Sequence, residues 1–142
     1  MKPTTLPTTE KEAIIRQLTD ILAEREEIIF SYLHGSFVDG QYFRDLDVAV
    51  YVDEKCINRE GAWDYEFKLA SDLNDQIRRV TIDTKVFNYA PIGFQYHVTC
   101  GRLLTNRDDD LRVDVISRVW NLYFDLQPLN RRLFKDLVGV DE

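Results

Sequence analysis

Two aspartates stand two residues apart at the start of an apolar segment, 45–52, which reads DLDVAVYV. A strand repeats every two residues, so Asp45 and Asp47 share one face while the alternate residues form an apolar face. Two such charges about 4 Å apart repel by about 4 kcal/mol at an effective dielectric of about 20, unless solvent, a proton or a cation relieves them. Carboxylate oxygens suit a hard cation such as Mg²⁺. The pair therefore indicates either a metal site or a strand face that is simply solvated.

A third aspartate, Asp83, lies in a second alternating segment, 80–89, which reads VTIDTKVFNY. Val80, Ile82 and Val86 form the apolar face of this predicted strand, and Asp83 projects from the opposite face. If the two strands are neighbours, the three carboxylates converge on one surface. The sequence then predicts an oxygen-only ligand set for Mg²⁺.

A glycine and a serine, Gly35 and Ser36, separate the first aspartate pair from a preceding apolar strand. Glycine lets the backbone turn sharply and come close to a ligand. Serine adds a hydroxyl and a backbone N–H, and amides at the start of a helix favour an anion. The pair on its own also fits an ordinary turn after a strand. Beside the aspartates, it favours a phosphate-binding turn.

The elements that must position these residues follow from hydrophobic periodicity. A helix starts at Thr9 after a flexible arm, residues 1–8, and a strand follows at 28–33. A helix is predicted at 58–77, with an apolar stripe formed by Trp63, Phe67, Ala70, Leu73 and Ile77. Three further elements close the chain: a short helix at 91–100, a strand reading GRLLT and a long helix at 109–127 that Pro128 ends or kinks.

Helices and strands alternate in this order without a regular βαβ repeat. We therefore expect an α+β (irregular α/β) fold, with one domain over residues 9–142. The whole chain has 142 residues, of which 44% are hydrophobic and 30% charged, as in globular proteins.

Composition excludes several classes of function. The formal net charge of −7 argues against a protein that grips long nucleic acid, because such proteins neutralise phosphates with a basic patch. Two cysteines and two histidines without metal-ligand spacing argue against a zinc site. No apolar run is long enough for a membrane helix, and the start lacks the core of a signal peptide. We expect a reduced, cytoplasmic protein without a membrane partner.

The segment from His34 to Val52, HGSFVDGQYFRDLDVAVYV, resembles the signature of the minimal nucleotidyltransferases of the DNA polymerase beta superfamily. That signature is Gly-Ser, about ten further residues, Asp-x-Asp and a third carboxylate on a later strand, and VTIDTKVFNYAP resembles its third segment. The resemblance implies a mixed β-sheet flanked by helices. It also implies that Gly35 and Ser36 bind nucleotide phosphates and that Asp45, Asp47 and Asp83 hold two Mg²⁺ ions, which Mn²⁺ can replace.

Two features depart from that signature. Eight residues, 37–44, separate Gly-Ser from Asp45, and Arg44 stands where many members have a small polar residue. The shorter loop is expected to reshape the base or ribose pocket rather than the metal site. Of the two histidines, His34 is expected to pack at the strand end and His97 to be structural or solvated.

The resemblance implies a Mg²⁺-dependent protein adenylyltransferase that moves AMP from ATP to a hydroxyl, a tyrosine, of a partner protein. Minimal members of the family are often antitoxins of HEPN-domain toxins, and this chain is expected to have such a partner. The alternative is a non-catalytic antitoxin or binding module that neutralises a partner by occlusion. The acceptor, the preferred base and homo-oligomer formation stay open.

Overall fold

A computed structural model describes residues 4–5, 8–35, 42–43 and 45–138 of the chain. The strands, in chain order, are β1 (Thr4–Thr5), β2 (Ile28–His34), β3 (Tyr42–Phe43), β4 (Asp45–Val52), β5 (Thr81–Val86) and β6 (Arg102–Asn106). The helices are α1 (Thr8–Ala23), α2 (Ala62–Gln76), α3 (Ile92–Thr99) and α4 (Asp109–Val138), and a 3₁₀ turn (Phe87–Tyr89) joins β5 to α3.

Within the described residues, four strands form the central sheet in the order β5-β4-β2-β6. β2 is antiparallel to both of its neighbours, whereas β4 and β5 are parallel because α2 carries the chain back between them. The short strands β1 and β3 pair separately. The mixed sheet flanked by helices confirms the predicted α+β fold.

Helices cover both faces of this sheet. The alternate residues of β4 that start at Leu46 are fully buried against α1 and α2, in a core that includes Ile14, Leu18, Leu69 and Leu73. The opposite face packs on α3 and α4 through a second cluster, formed by Phe30, Tyr32, Ala49, Phe87, Val98, Val115 and Val119. The first residues of β4 lie beyond that cluster, so Asp45 is exposed and Asp47 is partly exposed.

The predicted apolar stripe of α2 is wrong at two positions. Trp63 is 82% exposed and Phe67 is 75% exposed, whereas Ala62, Leu69 and Leu73 are buried. The helix turns Glu66 towards the sheet, because its Oε2 accepts a hydrogen bond of 2.6 Å from the Val86 N–H. A charged residue, Glu66, therefore lies on the inner face of α2. The prediction that Trp63 and Phe67 lie on that face is wrong for this reason.

Two predictions at the ends of the chain have different outcomes. Pro128 does not end the last helix, since α4 continues to Val138. Proline removes one intrahelical donor, and the loss of that one hydrogen bond does not stop the helix. At the other end, Thr4–Thr5 of the predicted arm pair with Tyr42–Phe43. The flexibility of that arm stays a prediction.

In the part of the chain that the structure describes, no helix is both long and apolar enough to span a bilayer.

Candidate active site

Three polar side chains form a row across neighbouring strands at one end of the sheet. His34 on β2 is the register partner of Asp47 on β4, and Asp47 is the register partner of Asp83 on β5. Asp45 lies two residues before Asp47, on the same face of β4. The strands β4 and β5 are therefore neighbours, which is the condition for the three carboxylates to lie on one surface.

The carboxyl group of Asp47 lies at the centre of this negative cluster. Partial burial raises the pKa of Asp47 above its ordinary value, and the neighbouring carboxylates of Asp83 and then Asp45 raise it further. Its charged form is thus opposed by desolvation and by like charges. A cation bound beside these three carboxylates would relieve both effects.

Gly35 lies against the same carboxylate. Its φ is +83°, a left-handed conformation that side chains with a Cβ rarely adopt. A Cβ on Gly35 would also lie 2.6 Å from Asp47 Oδ2, well inside van der Waals contact. The turn therefore needs glycine for two separate reasons, its left-handed backbone conformation and its close approach to the Asp47 carboxylate. Ser36 and Arg44 lie outside the described residues.

His34 has a buried atom that makes no hydrogen bond. Its ring packs edge-on against Phe94 with centroids 5.3 Å apart, which agrees with the expected packing role. However, Nε2 is buried without a hydrogen-bond partner among the described residues. Burial lowers the pKa of His34, and the Asp83 charge opposes that shift. A buried polar atom left unpaired costs about 1–3 kcal/mol, so it indicates a ligand or a water at this position.

Sequence reasoning missed this second property of His34. The only signal for it was the position next to Gly35, and a lone histidine at a strand end is usually structural. The other histidine, His97, is exposed near the end of α3 and takes no part in the row.

The residues present fit a hard metal ion by their chemistry. Among the described residues, no three His, Cys, Asp or Glu side chains are already arranged as a metal cluster. However, Mg²⁺ is usually held by one or two carboxylates together with waters and substrate phosphates, so it needs no complete protein cage. The register pair of Asp47 and Asp83 supplies oxygen donors of this kind, and the negative charges of Asp83 and Asp45, which add to the effect of burial on the pKa of Asp47, would stabilise a positive charge there.

Comparison with known proteins gives one family. The family model described as "Polymerase beta, Nucleotidyltransferase" matches residues 16–110, a range that holds Gly35 and all three aspartates. No curated protein matches the chain.

Three solved structures illustrate the likeness in fold. One is a toxin–antitoxin with AMP-PNP, at 19% identity, with 93% of this chain and 99% of that chain covered and a TM-score of 0.61. Another is the tri-AMPylated Shewanella oneidensis HEPN toxin in complex with MNT antitoxin, at 18% identity, with 90% and 98% covered and a TM-score of 0.65. The toxin–antitoxin MntA-HepT matches at 19% identity, with 93% and 99% covered and a TM-score of 0.60. At these identities the likeness shows a shared fold.

Proposed function

This chain belongs to the polymerase beta nucleotidyltransferase family, and we propose that it transfers AMP from ATP to a tyrosine hydroxyl of a HEPN-type toxin, as its antitoxin. The observation that carries this proposal is the register pair of Asp47 and Asp83, with Gly35 in contact with Asp47. Carboxylates beside a glycine turn provide the two parts that nucleotidyl transfer needs, a metal site and room for phosphates.

The metal would be held by Asp45, Asp47 and Asp83, with Mg²⁺ as the ion and Mn²⁺ as its substitute. When bound, it supplies charge neutralisation at the phosphates and activation of the attacking hydroxyl. Gly35, which has no side chain, leaves space beside Asp47 for the phosphate chain, and Ser36 is proposed to bind the same group. These roles are supported by the donor chemistry and by the match to the family signature.

The chain's own residues then handle the acceptor and its proton. The acceptor oxygen bonds to the α-phosphorus, the bond from that phosphorus to the bridging oxygen breaks, and pyrophosphate leaves with its electron pair. Asp83 is proposed to take the hydroxyl proton, because its exposed side chain lies at the outer end of the row, where a docked acceptor has access.

Two observations support a protein acceptor. One solved structure with a chain of similar fold is a complex of an AMPylated HEPN toxin with an MNT antitoxin, and another is a toxin–antitoxin with AMP-PNP. The net charge of −7 also disfavours a polynucleotide acceptor.

The experiment uses ATP labelled at the α-phosphate, Mg²⁺ and a purified HEPN-type toxin as the acceptor. We expect a covalent label on a tyrosine of that protein, whereas label at the γ position stays in solution as pyrophosphate. The double variant Asp45→Asn with Asp47→Asn should leave no mark. If this variant inhibits the partner as well as the wild type does, neutralisation is by occlusion and the transferase proposal is wrong.

A further inference from the structure

A groove runs along the outer edge of β5, between α2 and the start of α3. We call it the β5-edge groove; it encloses about 560 Å³ and its walls include Trp63, Glu66, Lys85, Tyr89, Pro91 and Phe94. This volume lies within the range of about 300–1,000 Å³ that is usual for ligand sites. No part of the proposed nucleotide site uses these walls, apart from the contact of Phe94 with His34.

The β5-edge groove borders the candidate active site. The ring of Phe94, on its wall, packs on His34. Lys85 follows Asp83 by two residues, so both side chains project from the same face of β5, and both are exposed. A molecule lying in the groove beside Lys85 is therefore two residues along β5 from Asp83.

Exposed aromatic side chains extend this groove along α2. Trp63 is 82% exposed and Phe67 is 75% exposed, and their spacing of four residues places them on one side of the helix. Tryptophan is among the residues that most often dominate the energy of protein–protein interfaces. Two such side chains next to an open groove indicate a surface that a partner covers.

The edge of β5 is closed to another strand. The Asn74 side chain bonds both the N–H and the carbonyl of Ile82 at 2.8 Å, and Glu66 accepts the N–H of Val86. These groups are the ones that an added strand would need. A partner at this edge must therefore bind through side chains, as an amphipathic helix does when it lies in a groove.

Charge narrows the chemistry of that helix. Arg59 lies over the Tyr89 ring at 5.2 Å on the groove wall, and Lys85 takes part in none of the ion pairs among the described residues. Of the described residues on the groove wall, Glu66 alone is acidic, and its Oε2 accepts the Val86 N–H. In a chain of net charge −7, the groove therefore has a local excess of positive charge beside apolar walls. An acidic side chain next to an apolar stripe would complement it.

We propose that the β5-edge groove docks the helix of the partner protein that carries the acceptor tyrosine. That helix places apolar side chains against Trp63 and Phe67 and an acidic side chain near Lys85, which directs its tyrosine towards Asp83. The inference rests on the proposed function, since it assigns the docking surface for the same transfer.

The test uses a double variant that carries both Trp63→Ala and Phe67→Ala. Its control is Phe124→Ala, which truncates an aromatic residue on α4 that is 51% exposed. The probe is the same purified HEPN-type toxin. Affinity for this protein, label transfer from α-labelled ATP and Mg·ATP affinity are measured for each variant. We expect the double variant to bind the partner about 30-fold more weakly or worse, which is the loss typical of an interface hot spot, with unchanged Mg·ATP affinity. Phe124→Ala should behave as the wild type.

Charge reversal gives an independent measurement. Lys85→Glu should lower the association rate with the partner and weaken its dependence on salt, while thermal unfolding stays unchanged because the side chain is exposed.

Three results would overturn the inference. Loss of Mg·ATP affinity with intact partner binding would assign the groove to the nucleoside base. Equal losses in the double variant and in Phe124→Ala, or a loss in Phe124→Ala alone, would place docking on α4. Failure of the wild-type protein to label the partner would reject both the proposed function and this inference. Full labelling and full partner affinity in the double variant would reject this inference alone.

Discussion

Asp47 and Asp83 are direct register partners across the parallel strands β4 and β5. Their side chains leave the same face of the sheet, and Gly35 lies so close to Asp47 that a Cβ there would be 2.6 Å from its Oδ2. His34 occupies the matching position on the other side of Asp47. The carboxylate of Asp47 thus lies beside the like charge of Asp83 and the glycine turn at Gly35, and His34 on the neighbouring strand has a buried Nε2 with no hydrogen-bond partner among the described residues.

Removal of the Asp47 charge should weaken nucleotide binding without changing the fold. We expect Asp47→Asn to keep the fold and to weaken Mg²⁺-dependent ATP binding sharply, with a loss of label transfer of about 100-fold or more. Isothermal titration calorimetry with Mg·ATP measures the affinity. Asp110→Asn, an exposed aspartate at the start of α4, is the matched control and should bind as the wild type. Unchanged affinity in Asp47→Asn would remove this residue from the metal site.

The same carboxylate should leave a signature in the pH dependence of stability. Because the folded chain raises the pKa of Asp47 above its ordinary value of 3.8, the folded state binds more protons than the unfolded state between the two values. In the metal-free protein, the contribution of Asp47 to the free energy of unfolding is fully present below the pKa that Asp47 has in the unfolded state. This contribution is lost as pH rises through the pKa that Asp47 has in the folded state.

Thermal unfolding of the metal-free protein at a series of pH values measures this effect. Asp47→Asn should gain in melting temperature relative to the wild type as pH rises from about 3.8 through the raised pKa, and added Mg²⁺ should narrow the difference. A difference that does not vary with pH would mean that the folded chain does not perturb Asp47.

Gly35 should tolerate no β-branched side chain. Gly35→Val forces a side chain into a left-handed conformation, at a cost of roughly 1–2 kcal/mol, and pushes the Asp47 carboxylate away from its position. We expect label transfer to be lost and the melting temperature to fall. Gly93→Ala on α3 is the control, since a Cβ there meets nothing within 4 Å and alanine favours a helix. Full transfer by a folded Gly35→Val protein would show that the turn only connects two strands.

His34 offers a test in which stability and function should move in opposite directions. His34→Phe keeps a ring against Phe94 and removes Nε2, which has no hydrogen-bond partner among the described residues, so the ligand-free protein should become more stable by about 1 kcal/mol. If Nε2 bonds to the nucleotide or the acceptor, transfer should fall in the same variant. Chemical denaturation and the labelling assay measure the two effects. A more stable variant with full transfer would leave His34 a packing role alone.

The family signature and the face on which each aspartate lies follow from the sequence alone. A period of two is a local property, so Asp45 and Asp47 had to share a face, and Asp83 had to oppose the apolar side of its own strand. The order of the main helices and strands followed in the same way from periodicity. The roles of the three aspartates and of Gly35 and Ser36 stay predictions.

Tertiary contacts decided the rest. Only the order of strands in the sheet brings Asp83 opposite Asp47, because pairing joins residues far apart in the chain. The rotation of α2 depends on the bond from the Val86 N–H to Glu66, which leaves Trp63 and Phe67 in water although their hydrophobicity predicts burial. The burial of His34 Nε2 without a hydrogen-bond partner among the described residues is likewise a tertiary property, since the ring packs against Phe94 on a distant helix. The local sequence pattern determines on which face of its strand or helix a residue lies. Contacts between segments that are distant in the chain determine what packs against that face.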